Sequence, residues 1–199
     1  LGLALELAGY AELRREQVLA RARGELMGIG AAGFVEMSGT LRWQSATVRM
    51  ERSGVVTVLT GSSPHGQGHE TVWAQVAADR LGVRLEEVRV LYGDTAVAPH
   101  GTGTAGAGGA PLAAPAVAVA SDRVREKMFQ IVAHRLESRV DDLVLDAGRI
   151  GVIGSPEASL SVAEVARIAY VGRELPGGME PGLEATSRFM PPRPPFGFG

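Results

Sequence analysis

Ten residues, Ser62 to Thr71, read SSPHGQGHET and bring several chemistry-capable groups together. Two serines, two histidines, a glutamine and a glutamate stand among glycines, just ahead of an apolar, helix-like stretch. Three chemistries could use them. A metal would want His65, His69 and Glu70, but Trp73 stands where the second histidine of an H-E-x-x-H helix would be, and no third ligand cluster sits nearby. Nucleophilic catalysis would want Ser62 or Ser63 beside His65, but the G-x-S-x-G elbow is missing, and serines before a helix are usually caps. The third possibility is a cradle for an anionic or polar ligand. Backbone N–H groups at a helix start are unpaired and carry partial positive charge. Glycines such as Gly66 and Gly68 let a ligand approach that backbone, and Gln67 between them offers a donor and an acceptor without charge.

A second glycine loop, APHGTGTAGAGGA from Ala98 to Ala110, also precedes a helical pattern. Its residues 101–106 match G-x-G-x-x-G, but a dinucleotide fold needs a strand directly before that motif, and here the strand pattern ends near Tyr92. Asp122, at a suitable distance for the ribose contact, falls inside a helix, and there is no Walker lysine. Two such loops could hold one ligand with several polar or phosphate groups. They could equally be two tight connections whose small residues serve packing.

The elements that must position these loops follow from periodicity. Residues 3–24 read as a helix with Leu3, Leu7, Leu13, Val18 and Leu19 on one face, interrupted at Gly9 and ended at Gly24. The small-residue run ELMGIGAAGFVEMSG reads as strand with close backbone approach. SATVRMERSGVVTVLTG reads as a hairpin in which Ala46, Val48 and Met50 alternate with Thr47, Arg49 and Glu51. A helix over 71–81, a strand over 88–92, a loop over 95–109 and a long helix over about 113–136, with Pro115 in its first turn, come next. A second hairpin, LVLDAGRIGVIG, precedes a helix opened by a Ser161–Glu164 capping box. Only the unit from Val55 through the helix to Val88 is a strand-helix-strand step, so the class is α+β: a mixed, largely antiparallel sheet with packed helices. Trp43 and Trp73 are expected to pack rather than stack on a ligand, and Arg123, Arg125, Glu126 and Lys127 to form a solvated helix face.

Composition narrows the classes. The 199 residues are 45% hydrophobic and 21% charged, with a formal net charge of −2 and no cysteine. Nothing in that balance suggests nucleic acid or a membrane surface, and thiolate chemistry is excluded. The cysteine-free chain fits a reducing cytoplasm. It opens at Leu1 directly into a helical pattern and closes on PPRPPFGFG, so it reads as an internal piece of something longer. The expected organisation is an N-terminal helix over 1–24, an α+β domain over 25–175 and an extended Pro/Gly-rich segment over 176–199.

The run VTVLTGSSPHGQGHETVWAQVAADRLGV, the later VRVLYGDTAVAPHGTGT and the segment LEATSRFMPPRPPF together resemble the molybdenum hydroxylase large subunits, the family of xanthine dehydrogenase, aldehyde oxidase and aerobic carbon monoxide dehydrogenase. The resemblance runs from about residue 5 to the end and falls in the second molybdopterin-binding region. It implies a molybdopterin cofactor, in bacterial members commonly the cytosine dinucleotide form. Gly66 and Gln67 match the loop at the dithiolene end of the pterin, with His65 and Gly68 flanking it. Thr104, Ala105, Gly106, Ala107 and Gly109 match the loop that holds the pterin and phosphate portion. The family implies a small-molecule substrate (an aldehyde, a purine or other heterocycle, or carbon monoxide), with oxygen drawn from water. It also implies FAD-binding and [2Fe-2S] subunits or domains as electron partners.

Two departures stand out. Relatives often carry GTFGSRS-like residues in the second loop, where this chain has Thr104 followed by Ala105-Gly106-Ala107-Gly108-Gly109. A missing arginine removes a charge-assisted contact of about 1.5–3 kcal/mol, so a weaker grip on the cofactor is expected. The family's catalytic glutamate also lies near the end of the large subunit and has no counterpart here; Glu36, Glu70 and Glu184 do not match it. No catalytic residue or metal ligand is therefore assigned, and the segment alone is expected to be inactive. The competing reading is a degenerate scaffold or partner-binding domain of the same fold that holds no cofactor. A third, an NAD-dependent dehydrogenase, rests only on the weak G-x-G-x-x-G match.

Overall fold

A computed structural model describes residues 1–39 and 43–192. The chain forms two compact units, one spanning Leu1–Glu36 and the other running from Met37.

The first unit is a helix pair, α1 (Gly2–Leu7) and α2 (Tyr10–Ala22). The helical pattern over 3–24 breaks at Gly9, as anticipated: Gly9 adopts a left-handed conformation, φ 63°, and becomes the N-terminal cap of α2. Gly24 is left-handed too, φ 80°, and ends the pair as anticipated. The shared apolar face stays open, with Leu3, Leu7, Val18 and Leu19 all exposed. Residues 25–36 contain no strand, contrary to the sequence reading; only Met37 forms an isolated bridge. The run's glycines and alanines give a strand little side chain to pack, and the larger Leu26, Phe34 and Val35 stay exposed.

The second unit is built on a four-stranded sheet in the order β3-β2-β1-β7. Strands β1 (Gln44–Met50) and β2 (Val56–Thr60) form the anticipated hairpin, with Val48 opposite Val58 and Gly54 left-handed in the turn. Helix α3 (His69–Leu81) then crosses over to β3 (Val88–Leu91), which pairs parallel to β2. This is the one strand-helix-strand step legible in the sequence. Strand β7 (Leu183–Phe189) closes the other edge antiparallel to β1, inside the segment read only as extended. Its alternation was masked by flanking Pro and Gly, yet it pairs with β1 along its whole length, and Thr47 and Thr186 hydroxyls meet at 2.7 Å.

Helix α4 (Ala114–Arg135) lies across β1 and β7, and Ala116 and Ala120 on its buried face allow close approach. Ser187 Oγ donates to the Ala116 carbonyl at 2.5 Å, and Lys127 Nζ donates to the Gly182 carbonyl at 3.0 Å. Arg123 reaches the Thr186 carbonyl at 2.6 Å, so the charged face of α4 partly ties helix to strand rather than only meeting water. Ala46, Val48 and Met50 meet Trp73, Leu81, Val124, Met128 and Leu183 in one core, where each large side chain contributes about 1.5–3 kcal/mol by burial.

A second, antiparallel sheet of β4 (Leu143–Asp146), β5 (Arg149–Val152) and β6 (Ser155–Ser161) adds Ile150 and Leu143 to that core. The sequence reading had the β4–β5 hairpin but not β6, whose register shifts by a bulge near Gly151. Helix α5 (Val162–Val171) starts at the anticipated capping box: Glu164 N–H donates to Ser161 Oγ at 3.3 Å, and Ser161 N–H donates to the Glu164 carboxylate at 2.8 Å. The hydrogen bonds from Ser161 hold the Glu164 carboxyl below its usual pKa. The architecture is α+β, with a mixed sheet and one long helix, as read from the sequence. Among the described residues, no helix is long and apolar enough to cross a membrane.

Candidate functional site

The first loop leaves the end of β2 and runs from Gly61 to Gly68; the second leaves β3 and runs to Gly109 at the head of α4. Both β2 and β3 end on the same edge of their parallel pair, so their loops emerge side by side, as loops beyond the carboxyl ends of parallel strands do.

The loops are tied together at two places. At the first tie, the Gly103 N–H donates to the Gly61 carbonyl at 3.3 Å. Thr104 Oγ1 meets Ser62 Oγ at 3.0 Å, accepts from Ser63 N–H at 3.0 Å and donates to the Ser63 carbonyl at 2.6 Å. Gly61 and Gly101 touch so closely that a Cβ on either would land on the other's backbone. At the second tie, Trp73 Nε1–H donates to the Gly109 carbonyl at 3.3 Å, and the His69 imidazole fills the space where a Gly109 side chain would be. Residues 64–68 and 105–108 are therefore the free bows of two loops that share both anchors.

The glycines divide accordingly. Gly61, Gly101 and Gly109 are packing glycines. Gly66 (φ 120°), Gly68 (φ 75°) and Gly103 (φ 71°) have no atom within 4 Å of a would-be Cβ; only their backbone conformation calls for glycine. Gly106 (φ 60°) and Ala107 (φ 52°) continue the left-handed backbone, and left-handed backbone at a non-glycine residue is a mark of functional loops. The second loop then enters α4 through a π-helical turn, Gly109–Ala113, another feature frequent at functional sites.

The residues named from the resemblance fall in different situations. His65, Gly66, Gln67 and Gly68 are all exposed. Gln67 folds back on its own loop, with its Oε1 accepting from the His65 N–H at 2.7 Å and its Nε2 3.3 Å from the His65 ring nitrogens. That holds the bow in shape and leaves the amide at the surface. Ala105 and Ala107 are exposed and Gly106 half-buried, with its carbonyl taken by the Gly39 N–H at 2.5 Å. Thr104 spends its hydroxyl on the first loop, and Gly109 is buried with its carbonyl committed to Trp73. These two act here as ties between the loops. A cleft of about 310 Å³ opens beside the first tie, lined by Thr60, Ser63, Asp94 and His100 among others, and none of the nine named residues lines it.

Sequence reasoning missed the support beneath the loops. Gln44 and Ser45, the first residues of β1, are buried, and both reach the second loop: Ser45 Oγ donates to the His100 carbonyl, and Gln44 holds Thr102 and Gly103. Two polar residues opening an otherwise alternating strand were the available signal. His69 was weighed only as a metal ligand; its ring lies 5.2 Å from that of Trp73, and its Nδ1 is buried without a hydrogen-bond partner among the described residues. Of the acidic residues considered, Glu70 accepts from the Tyr92 hydroxyl, which holds that phenol above its usual pKa, and Glu184 on β7 pairs with Arg49 on β1. Trp73 is fully buried, as a packing residue, and Trp43 lies 5.3 Å from the His100 ring.

This donor set fits a polar, anionic group. It offers the open amides at the start of α3, a surface amide at Gln67, left-handed glycine backbone in both bows, and an orphaned imidazole nitrogen where the loops meet. Fold and site define an α+β domain that presents a paired-loop cradle at helix N-termini.

The chain belongs to the molybdopterin cofactor-binding domain family, which matches residues 3–199. It is 37% identical over 207 residues to the nicotine 6-hydroxylase large subunit of Paenarthrobacter nicotinovorans, covering 98% of this chain and 25% of that protein. To the carbon monoxide dehydrogenase large chain of Afipia carboxidovorans it is 36% identical over 213 residues, covering 98% of this chain and 26% of that one. The solved structure of reconstituted CO dehydrogenase from Oligotropha carboxidovorans superposes with a TM-score of 0.77 at 35% identity, covering 98% of this chain and 26% of that chain. The chain thus spans about a quarter of the length of the relatives it matches.

Proposed function

We propose that this chain is the segment of a molybdenum hydroxylase large subunit that holds one side of a molybdopterin cofactor, in its cytosine dinucleotide form. The observation that carries the reading is the double tie: Thr104 to Ser62 and Ser63 at one end, and Gly109 to Trp73 and His69 at the other. Two bows with shared anchors act as one surface. Gly66, Gly68 and Gly106 expose backbone to the ligand, and Gln67 turns its amide edge to it. Thr104 and Gly109 keep the bows in register, while Ala105, Ala107 and His65 border the surface.

When bound, the cofactor supplies two-electron redox chemistry that oxidises a small substrate with oxygen from water. The protein's part in this segment is to bind and orient. Names among the relatives point to an N-heteroaromatic or carbon monoxide as the substrate class. Partners would be FAD-binding and [2Fe-2S] subunits or domains; one relative is named as a subunit of a dehydrogenase complex. The cytoplasm is the proposed compartment.

A second reading, a scaffold of the same fold without cofactor, is favoured by one feature: Ala105 and Ala107 put bare methyl groups at the exposed surface of the second bow. Metal and pterin analysis of the full-length protein, made in a host that synthesises the cofactor, separates the two. Near-stoichiometric molybdenum and pterin are expected. A folded protein free of both would overturn the proposal in favour of the scaffold.

A further inference from the structure

We propose that Gln44, which lies outside both glycine loops, is the positioning residue that sets the second loop against the first. The inference rests on the paired-loop reading above and names the group that makes the pairing rigid. Gln44 is fully buried at the start of β1, a costly place for an amide unless both its ends are bonded. Both are, and almost all of that bonding goes to one stretch of loop. Nε2 donates to the Gly103 carbonyl and, at 3.2 Å, to Thr102 Oγ1, while Oε1 accepts from the Thr102 N–H at 3.3 Å.

The side chain thus reads an N–H and a nearby C=O on the loop, as a neighbouring strand would, at a stretch that pairs with no strand among the described residues. Gly101 is shaped to the same group: a Cβ there would strike Gln44 Oε1 as well as the backbone of Gly61. The residues just beyond this grip, Gly103 and Thr104, make the hydrogen bonds to Gly61, Ser62 and Ser63. Gln44 therefore acts on the ligand surface through Thr102 and Gly103, without touching it.

Two variants test this in the full-length protein, read by amide hydrogen exchange over residues 101–108 and by the rate of molybdopterin loss. Gln44→Met keeps the volume and removes the side-chain amide's hydrogen bonds to Thr102 and Gly103. It should speed loop exchange and cofactor loss roughly tenfold or more, the scale of one or two buried hydrogen bonds, with exchange in β1 and β2 unchanged. Gln44→Glu replaces the donor by a carboxylate facing the Gly103 carbonyl. Burial favours its neutral form, whose single O–H can donate to the Gly103 carbonyl while the other oxygen accepts from the Thr102 N–H, so retention should recover part of the way towards the wild-type rate as pH falls. Gln44→Met should show no such recovery.

Exchange at the wild-type rate in both variants would overturn the proposal. So would acceleration spread evenly through the sheet, or identical pH profiles for the two variants. If the wild-type protein carries no molybdopterin, the functional reading fails, while the loop exchange of the two variants still decides the role of Gln44.

Discussion

Trp73→Ala is expected to remove about 3–5 kcal/mol of stability, the usual cost of truncating a buried tryptophan. Trp73 is the largest fully buried side chain and packs into the core shared by α3, α4 and the four-stranded sheet. Its loss also removes the indole N–H from the Gly109 carbonyl, which keeps only the Ala114 N–H, and takes the neighbour from the His69 ring. Against a typical domain stability of about 5–15 kcal/mol, that is a large share. Trp73→Phe keeps most of the volume and removes the indole N–H, so it should cost nearer to 1 kcal/mol, the net worth of one hydrogen bond. Urea unfolding of the two variants gives both numbers. Similar small losses for both would mean that Trp73 does not anchor the core beneath the second loop.

Gly101→Val should act on the other tie. Gly101 and Gly61 meet backbone to backbone, so a branched side chain at either has no flexible neighbour to displace. Overpacking of this kind costs about 1–3 kcal/mol. Relieved by parting the loops, it would break the Gly103–Gly61 hydrogen bond and the Thr104 contacts. The same energy expressed as lost coupling is about 5- to 150-fold in cofactor retention, with little change in the unfolding of the distant β4–β6 sheet. Gly61→Ala should do the same, and the double variant should cost less than the sum of the two, because both relieve one contact. Additive losses would show that the two glycines are not one joint.

The sequence reveals the glycine loops better than it reveals what holds them. The loops were legible because Gly66, Gln67 and Gly68 stand before a helical period, and because the long run around Gly103 is poor in side chains. The β1–β2 hairpin, the α3 crossover and the capping box at Ser161 were legible for the same local reason: alternation, helical period and cap chemistry all sit within a few residues. What stayed hidden is long-range. Strand β7 is a strand because it lies along β1, and its own residues, flanked by Pro and Gly, say little. Thr104 looks like one more small loop residue until Ser62 and Ser63 are seen beside it. Gln44 looks like an ordinary strand residue until its amide is found on Thr102 and Gly103. The run over 25–36 shows the converse, since small apolar residues suggested a strand where none forms among the described residues.

The most direct test of the joint grip is amide hydrogen exchange of the full-length protein with and without its molybdopterin. If both bows face one ligand, as proposed, cofactor binding should slow exchange in residues 65–70 and 103–108 together, while the amides of β4 and β5 stay unchanged. Protection confined to one loop, or absent from both in a protein that demonstrably carries the cofactor, would contradict it.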